Sequence, residues 1–286
     1  MADFIIDELN ADAFAVQAGG AKGCVPRDFA VQPKKMQAVN FPLIPRAEWP
    51  ERIKDMEATK SRLSDIRMTG NFGGPIPALD QGQWGYCWAH STTHAVMLLR
   101  AKANMPYVPL SAFAVAATIK NGANEGAWGA LSLDFAVKRG IPSQALWPQG
   151  NADVRLGTAA CWADAAKHQV TADWADLDAD VWGRALTFDQ MATLLLSRVP
   201  VVIDLNWWGH SICAMDLVDT KAQALRDESG KLAGLPTKLA ASEVSDGYGP
   251  RILNSWTDAW GENGTAVLAG SKGVPDGAVA PLVTDA

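Results

Sequence analysis

The chain has 286 residues, 48% of them hydrophobic, so it is long enough to bury the core of one large domain or two modest ones. Its formal net charge is −6 and no basic cluster offsets it, which argues against a nucleic-acid-binding surface. No apolar run reaches the roughly 18 residues of a membrane-spanning helix, and acidic side chains stand where a secretion signal has basic ones.

The first part of the chain is predicted to be an extended N-terminal arm. Prolines recur between residues 33 and 50, and one short helix is expected over residues 50–66. Residues 1–62 are therefore assigned to the arm, and residues 63–286 to the domain that follows it.

Three helices are predicted next, in a helical lobe over about residues 80–150. The first spans residues 87–103, where apolar residues recur at helical spacing without Gly or Pro. The second follows Ser111, which is a favourable N-cap residue, and the third ends at Gly140. Residues 150–185 are predicted to be a loop-rich stretch with acidic patches.

Strands dominate the prediction for the rest of the chain. Short β-rich runs separated by turn residues occur at 199–205, 211–219, 249–256 and 264–270. They predict a β-rich, barrel-like lobe over about residues 185–275. A helical half followed by a strand half indicates an α+β fold of two lobes, with a cleft between them.

Cys87 lies at the start of the first helix, where it could be a core residue, a disulfide partner, a metal ligand or a nucleophile. The other cysteines, Cys24, Cys161 and Cys213, form no CxxC pair, which predicts four free thiols and a reducing compartment such as the cytoplasm. A nucleophile would need a stabilised thiolate, a base and donors for an oxyanion. The helix N-terminus supplies the first of these.

The base has to come from four histidines. His210 opens a predicted strand and would face the cleft, and Asn254 at the end of the next strand could orient its imidazole. His90 and His94 lie four residues apart on one helical face and could ligate a metal with Cys87, but the sequence lacks the Glu of an HExxH motif. No metal or cofactor is therefore predicted. His168 lies in a polar stretch and is predicted to be solvated.

Two motifs resemble those of papain-like cysteine peptidases. The stretch QGQWGYCWAHS, from Gln81, is similar to that family's QGxCGSCWAFS, and NSWTDAWGENG, from Asn254, is similar to NSWGxxWGExG. The resemblance extends over roughly Leu63 to Gly270, with the Cys, His and Asn in the family's order. It implies a papain-like two-lobed fold and a thiol peptidase.

The resemblance implies a role for each matching residue. Cys87 would be the nucleophile and His210 the base, with Asn254 holding the imidazole. Gln81 would donate a hydrogen bond to the oxyanion, together with the backbone N–H of Cys87. Trp256 would shield the Asn–His hydrogen bond from water.

Four more residues are expected near the cleft. Trp88 follows the nucleophile in the matched motif, and Asn124 and Gly126 stand where the family has Asn-Gly-Gly along its substrate cleft. For Trp208, a position in the cleft wall and one in the core are both open.

The sequence also departs from the family pattern. Trp84 and Ala123 occupy the positions of two cysteines that form a disulfide in the family, so both halves of that bridge are missing. His90 replaces a Phe, and Glu125 replaces the first glycine of the cleft motif. Residues 1–60 do not show the family's usual inhibitory prosegment pattern.

The expected function is hydrolysis of peptide bonds by a cysteine endopeptidase, through a thioester, on protein or peptide substrates. The alternative is a papain-like domain that acts as a structural or binding component of an assembly such as a phage particle. The arm is expected to dock onto assembly partners in preference to acting as an inhibitor. The expected location is accordingly the cytoplasm or a virion, without nucleic-acid or membrane partners.

Overall fold

A computed structural model describes most of the chain, namely residues 4–17, 21–35, 41–69, 75–169, 173–177, 184–221 and 244–282. The helices of these ranges are α1 (Ala11–Gln17), α2 (Trp49–Ala58), α3 (Leu63–Thr69), α4 (Cys87–Lys102), α5 (Ala112–Lys120), α6 (Gly129–Arg139), α7 (Ala159–Ala166) and α8 (Arg184–Leu196). The strands are β1 (Ile5–Ile6), β2 (Asp173–Asp176), β3 (Val201–Leu205), β4 (His210–Asp219), β5 (Tyr248–Leu253), β6 (Thr265–Leu268) and β7 (Gly277–Leu282).

The three helices of the predicted helical lobe are confirmed as α4, α5 and α6. Ser111 caps α5, since its side chain accepts a hydrogen bond from the backbone N–H of Ala114. Helix α6 ends at Gly140, whose φ of 78° lies in the region that favours glycine. The sequence therefore correctly predicted the residue that caps the start of α5 and the residue that caps the end of α6.

Some elements differ from the prediction. The single helix expected over 50–66 is two helices, α2 and α3, because the chain turns at Lys60 with a φ of 53°. Residues 150–185 are not only loop, since they contain α7 and β2. Trp174 of β2 is buried, and this short strand gains its stability from its partner β7 and not from local sequence.

The strands form a sheet in the order β1-β6-β5-β4-β3-β7-β2. The four predicted strands are β3, β4, β5 and β6, but the sheet continues past residue 275 into β7. The arm also contributes, because Ile5 of β1 pairs in parallel with Val267 of β6. The predicted boundaries at 62 and 275 therefore do not coincide with the limits of the sheet.

The buried side chains form two clusters in the described residues. One surrounds α4, α5 and α6 and includes Trp88, Phe113 and Leu133. The other lies between the sheet and helices α2 and α8 and includes Trp49 and Phe188. The N-terminus of α4 meets β4 between these clusters, which places the predicted catalytic residues at the junction of the lobes.

His168 corrects a sequence-based expectation. It lies just after α7 and is only 7% exposed, with Nε2 at 3.4 Å from Asp164 Oδ2. Burial, followed by the charge of Arg100, lowers its pKa. The polar residues around it predicted a solvated loop, but the side chain is buried in the structure. In the described part of the chain, no helix has both the length and the apolar character to cross a membrane.

Candidate active site

Helix α4 presents Cys87 as its first residue, directly after Tyr86. The helix is buried along most of its length, and the indole Nε1 of Trp88 donates to the Gly85 carbonyl at 3.0 Å, which fixes the turn into the helix. The Cys87 thiol is fully buried and faces β4, where the Ser211 N–H donates to Sγ at 3.5 Å. Cys87 thus lies at a helix N-terminus beside the residue that follows His210.

His210 and Asn254 are brought together by the pairing of β4 with β5. Nε2 of the imidazole lies 2.8 Å from Asn254 Oδ1, and the Ser255 N–H also donates to that oxygen. Oδ1 is therefore an acceptor and Nε2 carries the proton, which leaves Nδ1 as the basic nitrogen. Nδ1 is buried and has no hydrogen-bond partner, so the imidazole makes no hydrogen bond to the Cys87 thiol, which lies instead at 3.5 Å from the N–H of the adjacent residue, Ser211.

Tryptophan rings cover this pair. The Trp256 ring centroid lies 4.8 Å from that of His210, and the Trp208 centroid lies 5.1 Å from it. Trp208 is 2% exposed and stacks on Trp207 at an interplanar angle of 15°. Of the two positions that the sequence left open for Trp208, the cleft wall and the core, it lies in the core. The rings exclude water from the Asn–His hydrogen bond, which strengthens it.

Gln81 is held from both ends of its side-chain amide. Ser255 Oγ donates to its Oε1, and its Nε2 donates to the Trp84 carbonyl at 2.9 Å and the Ala21 carbonyl at 2.7 Å. Ser255 was not predicted to belong to the site. Its position between Asn254 and Trp256, inside the matched motif, was the available signal.

Asn124 and Gly126 occupy the loop beside the α4 N-terminus. Asn124 Oδ1 accepts a hydrogen bond from the Gly85 N–H at 2.7 Å, which ties this loop to the turn before Cys87. A Cβ on Gly126 would lie 2.6 Å from the Gly23 carbonyl oxygen. The missing side chain at 126 therefore lets another backbone approach closely, and that backbone belongs to the arm.

Residues 21–25 of the arm lie across the site. Cys24 N–H donates to the Gly209 carbonyl at 3.0 Å, next to His210. Ala127 N–H donates to the Gly23 carbonyl at 2.9 Å, and Val25 N–H donates to the Ala127 carbonyl at 3.0 Å. The arm thus pairs in parallel with Ala127 as an extended peptide.

A buried ion pair fixes the next part of the arm to the domain. Arg27 donates from both terminal nitrogens to Asp176, at 3.1 and 3.0 Å, and both side chains are almost fully buried. The Lys35 N–H also donates to the Asp176 carboxylate, at 2.8 Å. The described parts of the arm therefore lie along the chain's own domain, while the expected docking onto other subunits stays a prediction.

Burial governs the protonation of the catalytic pair in this arrangement. It raises the pKa of the Cys87 thiol to about 12, although the N–H groups of Ser211 and Gly23 offset part of the effect. It lowers the pKa of His210 to about 4, against the hydrogen bond to Asn254. Both groups are thus neutral at pH 7 while the arm covers them.

The remaining histidines of α4 are structural. His90 Nδ1 donates to the Tyr86 carbonyl at 2.8 Å, His90 Nε2 accepts from Gln149 Nε2 at 2.6 Å, and His94 Nε2 accepts from the Leu79 N–H. Within the described ranges, no three His, Cys, Asp or Glu side chains lie close enough to hold a metal ion. All four cysteines are free thiols and all are buried.

No protein-family model matches the chain, and no curated protein matches it in sequence. Solved structures are similar to it. Xylellain, a cysteine protease from Xylella fastidiosa, is similar at a TM-score of 0.58 and 14% identity, over 93% of this chain and 97% of that one. Digestive procathepsin L 3 of the Tenebrio molitor larval midgut is similar at a TM-score of 0.54 and 14% identity, over 99% of this chain and 84% of that one. The chain therefore has the α+β fold of the papain-like cysteine proteases.

Proposed function

We propose that the chain hydrolyses peptide bonds as a cysteine peptidase, with Cys87 as nucleophile. One observation carries the proposal: Gln81, Cys87, His210 and Asn254 come from separate segments, yet they converge at one helix N-terminus. A buried structural cysteine needs no oriented imidazole beside it and no amide donor held by a second side chain.

The first half of the reaction is acylation. His210 Nδ1 takes the proton of the Cys87 thiol, and Sγ attacks the carbonyl carbon of the peptide bond. Gln81 Nε2 and the Cys87 backbone N–H stabilise the oxyanion that forms. The imidazolium then returns its proton to the nitrogen of the leaving amine, and a thioester on Cys87 remains.

The second half is deacylation. A water molecule gives a proton to His210 Nδ1 and attacks the thioester carbonyl. The second tetrahedral intermediate then collapses to the acid, while the C–S bond breaks and the imidazolium returns its proton to Cys87 Sγ. Asn254 keeps the imidazole in the tautomer with Nδ1 free for both proton transfers.

The arm supports an extended peptide as the substrate. Residues 23–25 bind through backbone hydrogen bonds to Ala127 and Gly209, which any peptide can form regardless of its side chains. The Ala21 carbonyl receives the Gln81 amide proton that the oxyanion would need.

The same contacts give the arm the role of an intramolecular inhibitor in this proposal. It fills the cleft, occupies the Gln81 donor and holds Cys87 and His210 in a dry, neutral state. Turnover then requires residues 21–25 to leave the cleft. Docking of the arm onto an assembly partner is compatible with this role, since a partner that binds the arm would open the site.

The test is to treat the full-length chain with a peptidyl epoxide and with peptides blocked at both termini. The epoxide is expected to form one adduct, on Cys87, and cleavage inside a blocked peptide would establish endopeptidase activity. Cys87→Ala should lose both reactions, whereas Cys161→Ala, at a buried thiol in α7, should keep both. An adduct on another cysteine, or hydrolysis that survives in Cys87→Ala, would overturn the proposal.

A further inference from the structure

The end of helix α4 turns the chain back beside the helix. Asn104, with a φ of 53°, adopts the left-handed conformation, and its N–H donates to the Ala101 carbonyl at 3.0 Å. The Met105 N–H donates to the Arg100 carbonyl at 2.9 Å, which completes a Schellman motif. Residues 105–108 therefore lie next to the last turns of α4.

A cavity, named here the α4 cavity, lies between these residues and the helix. It contains about 190 Å³ of empty space, part of it open to solvent. Six of the residues that line it are apolar, namely Ile76, Met97, Ala101, Met105, Pro106 and Val108. The other two are Arg100 and Tyr107. The cavity thus combines apolar walls with one cationic side chain and one hydroxyl group.

Arg100 is buried in the wall of this cavity, at 7% exposure. Within the described residues its guanidinium donates to Met105 Sδ at 3.7 Å and to the Pro106 carbonyl at 3.2 Å, and both acceptors belong to residues that line the cavity. A guanidinium has five N–H groups, and a thioether is a weak acceptor. Most of the hydrogen-bonding capacity of Arg100 therefore stays unused.

Other arginines with buried side chains have a carboxylate partner. Three such pairs are Arg27 with Asp176 at 3.0 Å, Arg67 with Asp258 at 2.5 Å and Arg251 with Asp216 at 3.6 Å. Arg100 has no carboxylate partner in the described part of the chain. Burial of a charge without a counter-ion is unfavourable, so buried charges in proteins are normally paired.

The surroundings of Arg100 offset only part of its charge. Arg100 lies in the last turn of α4, where the free carbonyl groups carry about half a negative charge. His168 is close enough for the charge of Arg100 to contribute, after burial, to the lowering of its pKa, and it is neutral at pH 7. Neither feature supplies a full negative charge at the guanidinium.

We propose that the α4 cavity binds a small aliphatic carboxylate, with Arg100 as its counter-ion. The two oxygens of a carboxylate match the fork of N–H groups that a guanidinium presents. The alkyl chain would lie against Met97, Met105 and Val108 and lose its contact with water. An inorganic anion would leave these apolar walls without a partner, and an amine would be repelled by the guanidinium.

This site is separate from the proposed peptidase site. Arg100 lies about 20 Å from Cys87 along the same helix, at a rise of 1.5 Å per residue. Binding can therefore be measured directly, without peptide hydrolysis, and the two proposals can fail independently.

The first experiment titrates the full-length chain, labelled with ¹³C in its methionine methyl groups, with sodium hexanoate. The NMR signals of Met97 and Met105 should shift to saturation, whereas that of Met191, in the second core cluster, should not move. Single Met→Leu variants assign the signals. Arg100→Gln should raise the dissociation constant about tenfold or more, and Lys102→Gln, at a cation in the same turn, should leave it unchanged.

Three results of this titration would overturn the proposal. The first is the absence of a saturable shift, and the second is binding that Arg100→Gln leaves unchanged. The third is equal binding of hexanamide, which has the same alkyl chain without the charge. Inorganic phosphate that shifts the same signals at comparable concentrations would show that the assigned ligand class is wrong.

The second experiment measures urea unfolding of full-length variants without added carboxylate. Arg100→Met removes a buried charge that has no partner, so it should unfold at a urea concentration equal to or higher than that of the wild type. Arg67→Met leaves Asp258 without its partner and should unfold at a lower concentration. Saturating hexanoate should raise the midpoint of the wild type but not that of Arg100→Met. A loss of stability in Arg100→Met as large as that in Arg67→Met would show that the guanidinium has its partner within the chain, and the proposal would be wrong.

Discussion

The side-chain amide of Gln81 donates a hydrogen bond to the carbonyl oxygen of Ala21 at 2.7 Å. The donor expected to stabilise an oxyanion is thus engaged by the chain's own arm. Ser255 holds the other end of the same amide, so Gln81 has one fixed orientation for both the arm and a substrate. A substitution of Gln81 should therefore affect closure and catalysis together.

Gln81→Ala should reduce kcat by roughly 10²-fold or more, because an oxyanion donor is lost. It should also speed the labelling of Cys87 by iodoacetamide, because the bond to Ala21 is lost as well. The substitution should therefore raise the labelling rate of Cys87 and lower the rate of peptide hydrolysis. Peptide hydrolysis and mass-spectrometric labelling measure them separately, with Gln83→Ala as the control. Loss of both labelling and hydrolysis would contradict the assignment.

Gly23→Ala should open the cleft. The new Cβ would lie 2.0 Å from the Gly85 carbonyl oxygen, which is backbone and cannot move aside cheaply. Cys24 and Cys87 should then react faster with iodoacetamide, while the buried thiols of Cys161 and Cys213 stay slow as internal references. Val31→Ala, at an arm residue that is 69% exposed, is the matched control. Unchanged labelling of Cys87 in Gly23→Ala would show that the arm does not limit access.

The catalytic substitutions should form a graded series. Cys87→Ala should abolish hydrolysis and His210→Ala should nearly do so, because nucleophile and base take part in bond formation. Asn254→Ala should reduce the hydrolysis rate less than His210→Ala does, since an imidazole without its hydrogen-bond partner can still transfer protons when it adopts the right orientation. Initial rates on one peptide, with circular dichroism to verify folding, measure the series. A larger loss for Asn254→Ala than for His210→Ala would reverse the assigned roles.

Acid should destabilise the folded chain. Burial lowers the pKa of His90 and His210 to about 4, whereas an unfolded histidine titrates near 6.5. Between these values the unfolded chain binds protons that the folded chain does not. The free energy of unfolding should therefore be independent of these two groups above pH 6.5 and fall as the pH drops toward 4, by up to about 1.4 kcal/mol per pH unit for each.

Urea unfolding at pH 7, 6 and 5 measures this dependence. His90→Phe removes one of the two groups, so its free energy of unfolding should fall less steeply with acid than that of the wild type. Identical slopes for the two chains would show that His90 does not contribute.

The thiol content offers an independent test. Four free thiols should be titrated in the denatured, unreduced protein, because all four cysteines are unpaired in the structure. Ellman's reagent in guanidinium chloride measures the number, and a reduced sample serves as the reference. A result of two or fewer would contradict the expectation of a reducing compartment.

The predicted elements that matched the structure have strong local signals. Ser111 and Gly140 mark helix ends through hydrogen bonding and backbone conformation, which act within a few residues. The four predicted strands are apolar runs between turn residues. The short strands β1 and β2, by contrast, depend on distant partners, and no local pattern reports pairing across more than 100 residues.

The site divides in the same way. The motifs around Cys87 and Asn254 identified the residues that converge, including the hydrogen bond from His210 to Asn254. They did not indicate that residues 21–25 cross the cleft. The arm binds through backbone hydrogen bonds, which most residue types can form, so its sequence has no recognisable binding motif. Gly23 is the exception, since only a residue without a Cβ fits beside Gly85.

The arm is fixed on both sides of the cleft, by β1 in the sheet and by the buried ring of Trp49 in the second core. Residues 21–25 can leave the cleft, but they cannot diffuse away from it. Their effective concentration at Cys87 is set by the length of chain between the two attachments, in the millimolar range for short tethers, and not by the amount of protein. Dilution should therefore leave the closed fraction unchanged. A substrate has to compete with a tethered segment, unless cuts on both sides of residues 21–25 turn closure into a bimolecular equilibrium.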